Sequence, residues 1–372
     1  MRVAVLKESV EGEKRVAAVP ATVEKMVGAG IEVVVEGGAG VASGFPDADY
    51  RGAGAKIDTR PESTLSDGDV VLKVQRPSAQ EVDRIPERAV LVAYSLQARG
   101  DAWVSEAWKR RRISAISLDL LPRIARAQSM DVLSSMANIA GYKSVLLAAN
   151  ALAKFFPMLM TAAGTVLPAK VFVLGAGVAG LQAVATARRL GALVSAFDIR
   201  PAVKEQVESL GARFVAVGLH EPAEDAKGYA KEVSAETARK ERDVLLEELR
   251  TTDACITTAL VPGKRAPTLI TGEMVRAMKP GSVIVDLAAE QGGNCEWTDP
   301  GKEIVREGVR ILGPVNLVSE MAFQASQLYS RNVLNLLLHL YDRQGKRMSL
   351  EAADEIVKGC LIAHAGEVLQ AV

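Results

Sequence analysis

The stretch AKVFVLGAGVAG at residues 169–180 decides the fold. It opens with a short apolar run containing β-branched and aromatic residues, which is typical of a buried strand in a parallel sheet. Gly175, Gly177 and Gly180 follow as G-x-G-x-x-G, and a helical pattern runs on from Leu181 to Leu190. In such a turn the first glycine permits the sharp bend and the second lets backbone approach a pyrophosphate, while the third lets helix and strand pack closely. The stretch therefore predicts a dinucleotide-binding strand, turn and helix.

An acidic residue stands where such a site needs one. A second strand is predicted from Ala192 to Phe197, and Asp198 closes it, about 20 positions after the first glycine. A carboxylate there is typical of sites that bind the ribose hydroxyls of an unphosphorylated cofactor, although Arg200 is a residue that can accommodate a 2′-phosphate. We expect a preference for NADH over NADPH.

The composition excludes several classes of function. The 372 residues include 45 basic and 45 acidic side chains, for a formal net charge of +0, and no basic run argues for nucleic acid or an anionic membrane surface. The three cysteines show neither metal-ligand spacing nor a disulfide framework, so we expect no metal and a reducing compartment. The longest charge-free stretches, 155–169 and 171–187, are too short to span a membrane. The sequence therefore predicts a soluble protein of about two domains.

Both halves of the chain are predicted to be α/β. Apolar runs predict strands at 1–7, 31–35, 69–74, 89–94 and 113–118 in the first half, and at 213–217, 254–260, 282–287 and 309–312 after the glycine-rich stretch. Two long amphipathic helices, 317–343 and 350–369, are expected to return to the first domain. The predicted fold is two Rossmann-like, doubly wound parallel-sheet domains with a cofactor cleft between them. Their predicted bounds are 1–132 plus 318–372 and 140–316.

Two polar segments interrupt this pattern. Residues 122–131 carry two arginines, a glutamine and an aspartate just before a helical pattern, and from the residues alone they are either part of a site or a solvated interdomain loop. Residues 218–240 are rich in charge and hold one aromatic, Tyr229. A polar insertion of this length is typical of a lid or a disordered loop. Leu260 begins a Leu-Val-Pro-Gly turn at the carboxyl end of a predicted strand, where parallel sheets bind ligands.

Short motifs with a common resemblance are spread over essentially the whole chain. They are Lys7-Glu8, Glu13-Lys-Arg-Val-Ala17 with Pro20, Val173-Leu-Gly-Ala-Gly177, Leu260-Val-Pro-Gly263, Met278-Lys-Pro-Gly-Ser-Val-Ile-Val-Asp286 and Gln291-Gly-Gly293. Together they resemble the superfamily of alanine dehydrogenases and transhydrogenase α subunits.

Two groups of that superfamily differ in their acid–base residues. Alanine dehydrogenases carry a histidine shortly after a strand tyrosine and an aspartate before Gln-Gly-Gly. Here the matching stretches read Tyr94-Ser-Leu-Gln97, without histidine, and Ala289-Glu-Gln291, with Glu290 in place of aspartate. Loss of a proton acceptor typically costs a factor of about 10²–10⁴ in rate. Arg15 and Lys73 match the substrate-carboxylate positions, and we interpret them as an inherited ion pair.

The segment from Pro122 to Ser135, PRIARAQSMDVLSS, is similar to a loop of the NAD(H)-binding component of proton-translocating NAD(P) transhydrogenases. The resemblance implies that this loop holds the nicotinamide end of NAD(H) and orders the contact with an NADP(H)-binding component, through Arg123, Gln128, Asp131 and Ser134. The insertion at 218–240 resembles the mobile loop of that family. The implied NAD(H)-binding residues are Gly175, Ala176, Gly177, Val178, Gly180, Asp198, Ile199, Arg200, Gly228, Tyr229 and Leu260.

The resemblance also implies partners and a place in the cell. Hydride would pass between two nicotinamides, so no side chain has to accept a proton and the missing histidine is expected. NADP(H) would be bound by the partner component, and membrane-spanning subunits would couple the reaction to proton translocation. The chain would be a homodimer with the C-terminal helices in its interface, cytoplasmic and peripheral on the inner face of the cell membrane. Two other interpretations remain: an alanine-dehydrogenase-like amino-acid oxidoreductase and a non-enzymatic nucleotide sensor.

Overall fold

The computed structural model describes residues 1–96, 101–216, 235–261 and 264–369. The chain divides into two compact units. The first unit comprises Met1–Met136 and Val318–Val372, and the second comprises Ala137–Leu317. Each unit has its own β-sheet and is considered by itself.

The strands, numbered in chain order, are β1 (Arg2–Val5), β2 (Glu32–Glu36), β3 (Lys56–Asp58), β4 (Val70–Leu72), β5 (Val90–Ala93), β6 (Ser114–Ser117), β7 (Leu159–Thr161), β8 (Gly164–Val166), β9 (Lys170–Leu174), β10 (Leu193–Phe197), β11 (Arg213–Phe214), β12 (Ala254–Thr257), β13 (Val283–Asp286), β14 (Glu303–Arg306), β15 (Val309–Leu312), β16 (Tyr341–Asp342), β17 (Arg347–Met348), β18 (Leu361–His364) and β19 (Glu367–Val368). The α-helices are α1 (Pro20–Gly28), α2 (Asp47–Gly52), α3 (Ala79–Arg84), α4 (Ala102–Arg111), α5 (Val132–Ala151), α6 (Val178–Arg189), α7 (Lys204–Ser209), α8 (Ala235–Thr251), α9 (Gly272–Ala277), α10 (Ala322–Leu340) and α11 (Glu355–Cys360). Short 3₁₀ helices lie at Val41–Ser43, Pro61–Thr64, Leu118–Leu120, Ala125–Met130, Pro201–Val203, Ala289–Gln291 and Leu317–Met321.

The second unit holds a seven-stranded sheet in the order β11-β10-β9-β12-β13-β15-β14. Neighbouring strands are parallel except for the edge pair β14 and β15. Counted from β9, the order begins 3-2-1-4-5, which is that of a doubly wound dinucleotide-binding sheet. The order reverses between β9 and β12, so their carboxyl ends mark the place where sheets of this kind bind ligands.

The alternating side chains of β9 bind helices to both faces of this sheet. Val171 and Val173 pack in the cluster that includes α5 and α6, whereas Phe172 and Leu174 pack in the cluster that includes α8 and α9. All four side chains are buried. A strand that is apolar on both faces must be covered on both, and this pattern is why the sequence predicts it as a central parallel strand.

The first unit repeats the same topology in an eight-stranded sheet, β19-β18-β6-β5-β4-β1-β2-β3. Strands β1 to β6 are parallel and reverse their order between β1 and β4. Helices α1 and α10 share an apolar cluster with β1, to which they contribute Val23, Met26, Tyr329 and Leu336. The prediction of two doubly wound α/β sheets is confirmed.

The second predicted C-terminal helix, 350–369, is wrong. Only α11 is helical there, and β18 and β19 then form an antiparallel hairpin that extends the sheet beyond β6. Three successive residues, Leu361, Ile362 and Ala363, are buried. Burial on both sides of the chain fits a strand inside a layered unit and not one face of an amphipathic helix. The turn at Ala365 and Gly366 has positive φ at both residues, which suits a tight hairpin.

Helix α5 is long and apolar. In the described part of the chain it is the one helix long and apolar enough, by length and composition alone, to cross a membrane. One such helix is weak evidence, since core helices of globular proteins pass the same test. In the second unit this helix lies close to α6: a Cβ added at Gly141 would fall 2.1 Å from the carbonyl oxygen of Ala179.

Candidate functional site

The glycine-rich turn of the second unit lies at the reversal point of its sheet. Gly175 has φ of 96°, and a Cβ there would lie 2.6 Å from Thr258 Oγ1. A Cβ on Gly180 would lie 1.8 Å from the carbonyl oxygen of Gly175. Both contacts are closer than any real Cβ tolerates, so these two glycines allow the turn and the helix to pack.

Gly177 differs from its two neighbours in the motif. It precedes the first residue of α6, and a Cβ added to it would meet nothing within 4 Å. The first turn of α6 contains no acidic residue, and the first N–H groups of a helix lack intrahelical partners and carry the positive end of its dipole. Open space beside Gly177 therefore faces donors suited to a phosphate. The residues present fit a dinucleotide.

Asp198 follows β10 and is held by four donors. Its Oδ2 accepts hydrogen bonds from the Ala176 backbone N–H (2.7 Å) and from Arg200 Nη2 (2.9 Å). Its Oδ1 accepts from the backbone N–H and from Nε of Arg200, both at 2.9 Å. A carboxylate accepts about four hydrogen bonds, so ribose hydroxyls can bind Asp198 only by replacing some of these donors. Arg200 is thereby drawn into a forked ion pair with Asp198.

A buried polar network, which the sequence did not predict, supports the same edge of the sheet. Thr258 Oγ1 donates to the carbonyl oxygens of Leu174 and Gly175 at 3.3 and 3.1 Å. The Asn294 side chain accepts from the Ala259 N–H at 3.0 Å and donates to the Ala259 carbonyl at 2.9 Å. These contacts fix the backbone just before the half-exposed Leu260.

Asp286, at the end of β13, is the centre of this network. The side chain is completely buried. It accepts hydrogen bonds from the Oγ1 atoms of Thr257 (2.8 Å) and Thr298 (2.6 Å) and from backbone N–H groups. Those backbone donors belong to Ala288, Asn294 and Cys295. In the sequence, Asp286 can be recognised as an aspartate at the end of an apolar strand. Nothing in the sequence indicates which donors reach its side chain.

The polar loop of the first unit lies before α5 and contains the 3₁₀ helix Ala125–Met130. Asp131 caps α5: its Oδ1 accepts from the Ser134 N–H at 2.9 Å and its Oδ2 from the Ser134 hydroxyl at 2.6 Å. Arg123 and Gln128 are exposed. The structure thus brings Asp131 and Ser134 into contact and leaves the Gln128 side chain on the surface of this unit.

Several predicted residues lie outside the part of the chain that the structure describes. They are Gly228 and Tyr229 of the polar insertion, Gln97, and Pro262 with Gly263 of the turn after Leu260. Ile199 is half-buried beside Asp198 and packs against the apolar cluster of α8 and α9. Val178 is 40% exposed at the start of α6.

Arg15 and Lys73 are both neutralised by glutamates inside the first unit. Arg15 forms a forked pair with Glu13, with Nη2–Oε2 at 2.6 Å and Nε–Oε1 at 2.8 Å. Lys73 Nζ lies 2.5 Å from Glu81 Oε1 and 3.6 Å from Glu8 Oε2. Arg15 and Lys73 are both buried. Each cation already has a carboxylate partner.

The two buried glutamates of this cluster have opposite pKa shifts. Burial raises the pKa of Glu8 to about 7, and the charge of Lys73 only partly offsets it. Burial also acts to raise the pKa of Glu13, but the hydrogen bonds and charge of Arg15 outweigh it and lower the pKa to about 2. Glu13 is therefore ionised at neutral pH and holds Arg15, while Glu8 exchanges a proton near neutrality.

Comparison with known proteins adds to this geometry. Family models described as Alanine dehydrogenase/PNT, N-terminal domain and C-terminal domain, match residues 4–140 and 144–371. The chain belongs to the Alanine dehydrogenase/PNT family. Within this family it is 50% identical to the first part of NAD(P) transhydrogenase subunit alpha from Rhodospirillum rubrum, over 99% of this chain and 98% of that protein. The alanine dehydrogenase of Halomonas elongata is 32% identical over 99% of this chain and 94% of its own length.

A solved structure of the same family has the same fold. The transhydrogenase from Sinorhizobium meliloti superposes with a TM-score of 0.90 at 45% identity, over 99% of this chain and 100% of that one. Identity to the transhydrogenase relatives exceeds identity to the alanine dehydrogenase, so this member of the Alanine dehydrogenase/PNT family lies on the transhydrogenase side of it.

Proposed function

We propose that the protein is the NAD(H)-binding subunit of a proton-translocating NAD(P) transhydrogenase, which passes hydride between its own NAD(H) and NADP(H) on a partner component. One observation carries the proposal beyond family membership: the second unit has a formed dinucleotide turn, and neither histidine in the described part of the chain lies in that unit. Among the described histidines, His339 lies 2.8 Å from Asp354 and His364 lies 3.3 Å from Ser114, both on C-terminal elements of the first unit. His220 lies outside the described residues.

Two sets of residues have separate tasks in this proposal. The set proposed to bind NAD(H) is Gly175, Ala176, Gly177, Val178, Gly180, Asp198, Ile199, Arg200, Gly228, Tyr229 and Leu260. The set proposed to order the nicotinamide end and the contact with the partner component is Arg123, Gln128, Asp131 and Ser134. The first set is supported by the sterics of the glycine turn and the position of Asp198, and the second by the exposure of Gln128 next to a capped helix start.

The chain's own residues bind and position. When bound, NADH supplies a hydride from its dihydronicotinamide ring. The N-terminus of α6 would hold the pyrophosphate, Gly177 leaves room for it, and Asp198 would take ribose hydroxyls in place of part of its pairing with Arg200. Since hydride leaves one carbon and arrives at another, no side chain has to move a proton. The remaining task is to bring the reacting atoms within about 3–3.5 Å and to exclude water.

The proposed role as the NAD(H)-binding subunit of a transhydrogenase also implies the partners of this chain. They are an NADP(H)-binding component and membrane-spanning subunits, with this chain cytoplasmic and peripheral on the inner face of the cell membrane. The relative from Rhodospirillum rubrum is named as a part of a subunit, which supports a multi-component assembly.

We also propose that the chain forms a homodimer, and we place its contact on the hairpin of β7 and β8. Large apolar side chains are exposed on and beside this hairpin, with exposed fractions of 58% for Phe155, 57% for Met158, 81% for Met160 and 69% for Leu167. Helix α10, an alternative suggested by the sequence, packs most of its apolar side chains into the core of its own unit and leaves Phe323 and Leu338 exposed. Sedimentation of wild type and Met160→Lys checks this placement, because the variant should shift towards monomer.

The experiment that tests the function compares two activities of the purified chain. With NAD⁺ and alanine it should form no NADH, because Arg15 and Lys73 are paired internally and the matching histidine is absent. With NADH, NADP⁺ and the NADP(H)-binding component it should form NADPH. Robust alanine-dependent NADH formation by the chain alone would instead favour the alanine-dehydrogenase interpretation.

A further inference from the structure

One carbonyl group in the polar loop is held by two side chains from a distant helix. Asn332 Nδ2 and Asn335 Nδ2, both on α10, donate to the backbone carbonyl oxygen of Ser129, each at 2.9 Å. Ser129 directly follows Gln128 in the loop. A carbonyl oxygen has two lone pairs, and residues three apart lie on one face of a helix. The two amides therefore use the full accepting capacity of this carbonyl from a single helix face.

This arrangement is unfavourable for α10 considered alone. Asn332 is 7% exposed, and its Oδ1 has no hydrogen-bond partner in the described part of the chain. An unpaired buried polar group destabilises the fold because it loses its hydrogen bonds to water, and asparagine is a poorer helix former than alanine or leucine. The neighbouring positions Val333, Leu336 and Leu337 are apolar and buried. A helix that only covered the sheet would be more stable with an apolar residue at position 332.

The segment that receives these hydrogen bonds needs tertiary support. Ala125–Met130 is a 3₁₀ helix of six residues, and runs longer than three or four residues are uncommon because their hydrogen bonds are poor. Ala127 and Met130 are buried and anchor its inner side. On its outer side, Arg126 forms a long ion pair with Asp354, with 3.6 Å between Nη2 and Oδ1, and the Arg126 side chain is mostly exposed. Such an ion pair contributes little to stability. The carbonyl of Ser129, the residue directly after Gln128, is held by two hydrogen bonds from α10.

We propose that Asn332 and Asn335 are positioning residues for hydride transfer: by fixing the Ser129 carbonyl they set the direction of Gln128 and the placement of the Arg123–Ser134 loop. The inference rests on the proposed function and deepens it. Neither asparagine touches substrate or cofactor in this account, and both act through the loop. A shift of about 1 Å in a positioned group can cost on the order of 10²-fold in rate.

The test is the double variant Asn332→Ala/Asn335→Ala in the full chain, reconstituted with the NADP(H)-binding component. Stopped-flow transfer from NADH to NADP⁺ should slow at least about tenfold, while equilibrium NADH affinity stays within about threefold, since binding energy is spread along the dinucleotide. Gln324→Ala, which truncates an exposed amide on the same helix, should change neither quantity. An unchanged transfer rate in the double variant, or equal losses in rate and affinity, would overturn the positioning role.

A double-mutant cycle that combines Gln128→Ala with the asparagine variant shows whether the side chains of Asn332 and Asn335 act through the loop. If they do, adding Gln128→Ala to the double variant should slow transfer little beyond the slower parent, because the effects are coupled. Independent, multiplying effects would contradict the inference. If the double variant does not fold, Asn335→Ala alone carries the test, because that side chain is only half-buried, and a loss of at least about threefold is then expected.

Failure of the inference and failure of the proposed function are distinguishable. Slow transfer by Gln128→Ala together with normal transfer by the asparagine variants would remove the positioning role and leave the function in place. Absence of any transfer by the reconstituted wild-type chain would remove the function itself.

Discussion

Two methyl groups, added three residues apart in the glycine-rich turn, should affect different properties of the protein: one mainly its stability and the other mainly its affinity for NADH. In Gly180→Ala the new Cβ falls 1.8 Å from the carbonyl oxygen of Gly175 and 2.8 Å from its carbonyl carbon. The obstacle is backbone, so the turn and α6 must move apart by more than 1 Å relative to ordinary contact at about 3.4 Å. Overpacking typically costs about 1–3 kcal/mol, and occasionally more. We expect the upper end of this range, which corresponds to a fall in Tm of roughly 6–12 °C for a unit of this size.

In Gly177→Ala the added Cβ meets nothing within 4 Å and φ is −75°, which any residue adopts. Alanine is a poorer N-cap than glycine, so we expect a cost of about 0.5–1 kcal/mol in stability. The methyl group would project into the space proposed for the pyrophosphate and prevent one close charged hydrogen bond. Such a bond contributes about 1.5–3 kcal/mol, so NADH affinity should fall about 10- to 100-fold.

The assay pairs thermal unfolding without cofactor with equilibrium NADH titration for both variants. Gly180→Ala should lose mainly stability and Gly177→Ala mainly affinity. Wild-type NADH affinity in Gly177→Ala would refute the placement of the pyrophosphate beside this residue. Wild-type stability in Gly180→Ala would refute the close approach of helix and turn.

Three further predictions concern other groups. Asp198→Ala should weaken NADH binding about tenfold and release Arg200 from its forked pair, so the preference over NADPH should narrow or invert; an unchanged ratio in fluorescence titrations of both cofactors would contradict this. Gln128→Ala should leave NADH affinity within about tenfold while transfer to partner-bound NADP⁺ falls on the order of 10²-fold; equal losses would make Gln128 an ordinary binding residue. Glu8 has a folded-state pKa of about 7, above its ordinary value of 4.5, so the folded protein binds this proton more tightly and stability should fall by about 3 kcal/mol as pH rises from 4.5 to 7. The Glu8→Gln variant should show a flatter dependence of Tm on pH across this window. An unchanged slope would contradict the raised pKa of Glu8.

The central strands could be predicted from sequence because they are buried on both faces. The run from Lys170 to Leu174 is short and nearly continuous in apolar residues, and its β-branched and aromatic residues, with glycines directly after it, favour a covered strand over a buried helix segment. Strands β18 and β19 could not be predicted in the same way. Their pairing depends on contacts with β6, which lies about 250 residues earlier in the chain, and a short apolar run of this kind is ambiguous between helix and strand.

The candidate site also contains some residues that could be predicted from local sequence and others that could not. The glycine turn and Asp198 are local in sequence, and their spacing carries the geometry. The polar network of Asp286 and Asn294 is not local, because sheet register and turns bring its donors together. The asparagines of α10 likewise look like ordinary polar positions on an amphipathic helix until the structure places them on the Ser129 carbonyl.

The central claim is that this chain passes hydride directly between two nicotinamides without proton transfer by a side chain. The most direct measurement uses NADH labelled with deuterium at the transferred position of C4, together with NADP⁺, the reconstituted partner component and this chain. The NADPH formed should carry the deuterium, and the same reaction run with unlabelled NADH in D₂O should place none at that position. Loss of the label to water, or uptake of solvent deuterium at C4, would contradict direct transfer and with it the proposed function.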